Sequence, residues 1–336
     1  MTELLARDRV DLAALGESVR ANPALHAKAE ITLVGEVLGD TDWVSGPGDD
    51  GAVLAPIPAT DRVIACGEAM LPAFVRADPR AAGFAAVLTN VNDVAAMGAE
   101  PLGIVDTIVG SEVLARSALA GMREAAEMLR VPIVGGHLTI WDGEPSISAF
   151  AVGSTPRPLS VTRAAPGQAL VVAAALDGDM RPDFPFFPAF EGRRDRCAGD
   201  VRLLRDLAAA GVVVAAKDIS MAGLVGSLAM LLEAGRLGVA VDVDAVPTPA
   251  GVAHTRWFNC FPSFGFLLCA PAGRARECVA AFTGRGLGAA VVGTLDGSGE
   301  VRLRSGALET RVLALGRRGV TGLPPLAVSD SGVLPL

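Results

Sequence analysis

The sequence predicts a two-domain α/β fold, mixed in the α+β sense, and three observations carry that prediction. Its 336 residues are 51% hydrophobic and 20% charged, enough apolar material for two cores of ordinary size. Short runs of Val, Ile and Ala alternate with longer Ala- and Leu-rich stretches of helical spacing, and 39 glycines punctuate the joints. Gly153 to Gly167 collects Pro156, Pro158 and Pro166. That stretch separates a first domain over 1–155 from a second over 165–320.

Taken in order, Leu4, Leu5, Leu12, Leu15 and Val19 have helical spacing and predict one N-terminal helix or two short ones. Ala52–Leu54 and Arg62–Cys66 read as strands, with Pro56, Pro58 and Asp61 turning the chain between them. Residues 81–97 are Ala, Val, Leu and Asn almost throughout, which predicts a buried helix closed at Gly98. Leu102–Val109 is a strand. Ser111 caps a helix running to Arg130, whose apolar side carries Leu114, Met122, Ala126 and Leu129. A strand over 131–134 ends in Gly135-Gly136, and Ser146–Val152 is another. The second half repeats the alternation. Strands fall at 168–174, 212–216, 238–242, 264–269 and 288–294, with helices at 200–210, 220–234 and 273–283.

Composition narrows the function. The net charge is −8 with a pI near 5.0, and Lys28 and Lys217 are the only lysines, so no basic face for nucleic acid is expected. Five cysteines without a CxxC spacing argue against a zinc knuckle or a disulfide framework. No apolar run is long enough to span a membrane, and charge within the first ten residues argues against a signal peptide. The expectation is a cytoplasmic protein.

Four segments carry candidate chemistry. Gly46-Pro47-Gly48-Asp49-Asp50-Gly51 sets two carboxylates among glycines just before a strand. Magnesium prefers such oxygen ligands, and glycine lets the backbone approach phosphate; an exposed Asp-Gly turn has the same pattern. Asp93 is the only charged side chain between Ala81 and Ala99, with Asn90 one turn earlier on the same face. A buried carboxylate needs a partner, either a metal or an arginine. Gly135-Gly136-His137 offers close backbone approach and a titratable ring, with Asp142 and Glu144 following. Lys217-Asp218-Ile219-Ser220 leads from a strand into a helix, where Ser220 is placed to cap and an anion is favoured.

The order of these segments resembles the superfamily of aminoimidazole ribonucleotide (AIR) synthetase, thiamine-monophosphate kinase and selenophosphate synthetase. Gly-Asp-Asp-Gly-Ala-Val from Gly48 comes first and Asn-Asp-Val-Ala-Ala-Met-Gly-Ala-Glu-Pro from Asn92 second. Val-Gly-Gly-His from Val134 and Asp-Ile-Ser-Met-Ala-Gly-Leu from Asp218 follow. The resemblance implies an AIR-synthase-like fold, a homodimer closed through a barrel of N-terminal domains, and binding of ATP with Mg. It makes Asp49, Asp50, Asp93 and Asp218 metal ligands, sets Asn90, Gly135 and Gly136 beside the nucleotide, and offers His137 for acceptor binding or proton transfer.

Two departures stand out. Relatives carry a Thr-Asp pair after the first strand, where this chain has Cys66-Gly67-Glu68, so Glu68 stands in for the usual aspartate. Residues 181–190, with Phe184, Phe186, Phe187 and Phe190 among prolines, have no counterpart in the pattern. They form a loop for a substrate lid, a dimer contact, or packing on their own domain.

Overall fold

The computed structural model describes residues 36–37, 58–315 and 320–321. The expected N-terminal helix, the strand at 52–54 and the carboxylates Asp49 and Asp50 lie outside the described residues.

The first domain is a four-stranded sheet with helices on one face. Its strands are β1 (Arg62–Ala69), β2 (Glu100–Gly110), β3 (Ile133–Ile140) and β4 (Ser146–Thr155). They are ordered β1-β4-β2-β3, with β2 and β3 parallel and the other pairs antiparallel. Side chains alternate across the pleat. Ile64, Cys66 and Glu68 point to the covered face, while Val63, Ala65 and Gly67 point to the open one. On the open face Phe150 lies over Gly67, where a Cβ would come within 2.3 Å of its ring.

Helices α1 (Pro72–Ala77), α2 (Pro79–Ala96) and α3 (Glu112–Leu129) follow. The Asp78 carboxylate caps α2 by accepting from the Ala81 N–H at 2.9 Å, and Ser111 caps α3 as expected. Helix α2 is buried nearly all round because sheet, α3 and second domain each take a side. Two glycines let α2 and α3 touch backbone to backbone. A Cβ on Gly83 would stand 2.1 Å from the Ala118 carbonyl oxygen, and one on Gly121 would stand 1.9 Å from that of Arg80.

The second domain is a seven-stranded sheet ordered β11-β10-β7-β9-β5-β8-β6. Its strands are β5 (Ala169–Ala174), β6 (Ala215–Asp218), β7 (Gly238–Asp242), β8 (Gly265–Ala270), β9 (Gly288–Asp296), β10 (Glu300–Ser305) and β11 (Leu308–Ala314). The central β5 and β8 are buried at every position, which explains their unbroken apolar sequences. The β10–β11 hairpin escapes the sequence reading because Arg302, Arg304, Glu309 and Arg311 interrupt its apolar alternation.

Among the helices, α4 (Phe190–Arg193) precedes α5 (Cys197–Ala209), α6 (Gly223–Glu233), α7 (His254–Trp257) and α8 (Ala275–Thr283). Ser220 does not cap α6: the helix begins at Gly223, and the Ser220 N–H donates instead to Ser227 Oγ. No described helix is long and apolar enough to cross a membrane.

The Phe/Pro segment packs on its own chain. Phe186 stacks on Phe261 at 5.6 Å and Phe187 meets Trp257 edge-on at 5.3 Å, while the Phe187 N–H and Pro185 carbonyl bond to Phe261. Phe190 then reaches Phe84 of α2 at 4.6 Å, joining the two domains. Only Phe184 is left outside, about half exposed.

Candidate functional site

Three elements from both domains bring carboxylates together. Glu68 comes from the inward face of β1, Asp93 from α2, and Asp218 from the end of β6, which places Asp218 opposite Phe266 of β8. Asn92, next to Asp93, sets their mutual position. Its Nδ2 donates to the Ser263 carbonyl at 2.8 Å and so ties α2 to the loop before β8. Asn92 Oδ1 and Ser263 Oγ are buried without hydrogen-bond partners, and Ser263 holds a left-handed φ of 56°.

The electrostatics of the cluster are unbalanced. Burial, then repulsion from Asp218, push the Asp93 carboxyl up to about 7. Burial and Asp218 also raise Glu68, whose carboxyl hydrogen-bonds with that of Asp93. Among the described residues, Lys217 is the cation that offsets this group, and its ammonium bonds Asp218. Cys66, behind them, is pushed up to about 12 by burial and by Asp93; it is a neutral thiol donating to Asn90 at 3.4 Å.

The other expected residues fall elsewhere. Asn90 is fully buried, and its Nδ2 donates to the carbonyls of Ala86 at 2.8 Å and Ala149 at 3.0 Å. With Oδ1 accepting from Cys66, its side chain clamps α2 to β4 and leaves no donor for a nucleotide.

Gly135, Gly136 and His137 are not a loop at a strand end, as the glycine pair suggested. They lie inside β3, in register with Val105, Asp106 and Thr107 of β2. His137 and Thr107 therefore share the open face of the sheet, and the structure does not bring His137 to the carboxylates. Gly136 faces the covered side, where a Cβ would come within 2.8 Å of Asp106 Oδ2.

Asp106 went unnoticed in the sequence, because one aspartate in a Val/Ile strand carries no spacing signal. Its side chain is 7% exposed, and burial alone pushes its carboxyl up to about 7.

The donor chemistry of Glu68, Asp93 and Asp218 fits a hard divalent cation, which would replace the proton the crowded carboxyls retain. Among the described residues, no group of three such side chains is close enough to hold a metal by itself.

The chain matches known proteins over both domains. Residues 48–155 match the family described as AIR synthase related protein, N-terminal domain, and residues 197–306 match the corresponding C-terminal domain. The Synechocystis protein sll0787, itself uncharacterized, is 31% identical over 278 residues, which is 82% of this chain and 86% of that protein. Thiamine-monophosphate kinase of Rhodopirellula baltica is 30% identical over 218 residues. That alignment takes in 64% of this chain and 65% of the kinase, just under two thirds of its length. The hydrogenase maturation protein HypE, solved in complex with ATP, has the same fold at a TM-score of 0.67 and 18% identity, across 88% of this chain and 95% of that one. The chain belongs to the AIR synthase related protein family.

Proposed function

We propose that this protein is an ATP- and magnesium-dependent enzyme that moves a phosphoryl group onto a small polar molecule. The observation that carries this reading is the meeting of Glu68, Asp93 and Asp218 from both domains, with too few cations to balance them. A fold made only for stability gains nothing from such crowding, whereas a phosphate-binding cation gives it a use. Bound Mg would neutralise phosphate charge during transfer. Glu68, Asp93 and Asp218 would contribute to holding it from their three elements, and the resemblance adds Asp49 and Asp50.

Thiamine-monophosphate kinase, at 30% identity, favours release of a phosphorylated product. The alternative chemistry phosphorylates an amide oxygen that a nitrogen then displaces; identifying the product separates the two. A second reading, a nucleotide-binding partner without chemistry, draws on the lack of a self-sufficient ligand trio among the described residues. ATP binding without turnover across an acceptor screen would support it.

Calorimetry tests the assignment directly. Wild type is expected to bind ATP in a magnesium-dependent manner, and Asp93→Asn to weaken that binding about tenfold or more, in line with the loss of one charged ligand. No magnesium-dependent ATP binding by the wild type overturns the proposal.

A further inference from the structure

The first domain holds a second carboxylate position that the cluster does not use. Reading across the sheet, Glu68 of β1 pairs with Ala149 of β4, Ala149 with Asp106 of β2, and Asp106 with Gly136 of β3. Paired residues share a face, so Glu68 and Asp106 stand on the covered side in one row. They are two inter-strand spacings apart, about 10 Å.

The surroundings of Asp106 are apolar. Ala149 lies on one side and Gly136 on the other, with Ile104 and Ile108 along its own strand. No ion pair or hydrogen bond among the described residues reaches its carboxylate, and no charged neighbour shifts it. An ionisable group placed so deeply without a partner is a standing expense to the fold. On the Gly136 side, that glycine is exposed and has no side chain to shield Oδ2.

We propose that Asp106 receives a protonated amine, entering over Gly136. A metal suits the position poorly. Magnesium wants several oxygen ligands, and neither Ala149 nor Gly136 supplies a side-chain oxygen. An ammonium brings its own charge and three donors, which is what a lone carboxylate in apolar surroundings lacks. Ala149, between the two carboxylates in the row, is fully buried, so this position is separate from the carboxylate cluster. The amine site stands on Asp106 and Gly136 alone and does not rest on the phosphotransferase reading.

The test omits ATP and magnesium, so failure at the metal site cannot affect it. Thermal melts of the full chain are recorded with ethanolamine and with its uncharged analogue ethylene glycol, on wild type, Asp106→Asn and Gly136→Ala. Ethanolamine is expected to raise the wild-type melting temperature by about 2 °C at concentrations near tenfold Kd, and ethylene glycol not to raise it. Both variants lose that response, Asp106→Asn through the missing charge and Gly136→Ala through a methyl group set against Oδ2. Equal responses to the two compounds, no wild-type response to ethanolamine, or an undiminished response in a folded variant would each overturn the proposal.

Discussion

Single side chains in this protein show their role by what they lack. Among the described residues Asp106 has no partner, and its folded-state carboxyl is raised to about 7 against an ordinary 3.8. At pH well below 3.8 the group is neutral whether the chain is folded or not, so it imposes no penalty there. As pH rises toward 7 the unfolded chain ionises it first, and stability falls until the folded group ionises as well. The full difference is on the order of a few kcal/mol. Asp106→Asn is therefore expected to be more stable than wild type at pH 8 and nearly equal to it at pH 4, by urea denaturation at each pH. Asp93 and Glu68 are raised too, so the variant keeps part of the slope. Equal wild-type and variant stabilities at pH 8 would refute this account of Asp106. Asn90 teaches the opposite lesson. Its place one turn before Asp93 suggested a ligand contact, but the helix–strand seam uses both hydrogens of its amide.

Helices and strands in turn depend on where the backbone can approach its neighbours. Helix α2 carries Asn92 and Asp93 to the domain junction, and its contact with α3 leaves no room for a methyl group at Gly83 or Gly121. Because the clash is with carbonyl oxygens, no rotamer change relieves it, and the helices themselves must separate. Gly83→Ala is expected to lower stability by about 3 kcal/mol, the upper end for overpacking, and to move Asp93 with the helix. The check is a lowered melting temperature together with weakened ATP binding; a variant as stable as wild type would mean that the helices slide apart freely. Strand β3 shows why element boundaries are hard to read. Gly135-Gly136 reads as a break, but pairing with β2 continues through it to Ile140, since Gly136 makes space for Asp106. Only the partner strand contains that reason.

For the molecule as a whole, the open face of the first sheet is the feature that bears on assembly. Val63 is 59% exposed and Phe150 44%, on strands whose other face is covered by helices. A half-covered sheet with a large aromatic outward is suited to pairing with its own copy. This supports the homodimer that the resemblance implies. Phe150→Glu is expected to convert a dimer into a monomer at micromolar concentration, measured by sedimentation velocity. A wild type that sediments as a monomer would refute the idea. His137 lies on this same face.

The sequence by itself determined the two-domain α/β class, most strands and helices of both sheets, and the Asp93 and Asp218 segments. Those are local properties: periodicity, capping and turn residues act within a few positions of one another. It also pointed to Glu68 as the carboxylate beside Asp93, through a departure from an expected pair. Tertiary structure alone decided that Asn90 serves the fold, that His137 turns away from the carboxylates, and that Phe190 braces the domain junction while Phe186 and Phe187 pack within the second domain. It alone exposed Asp106, whose meaning comes from Ala149 and Gly136 beside it in the sheet. Register sets the face on which each side chain lies, and register is a relation between strands far apart in the chain.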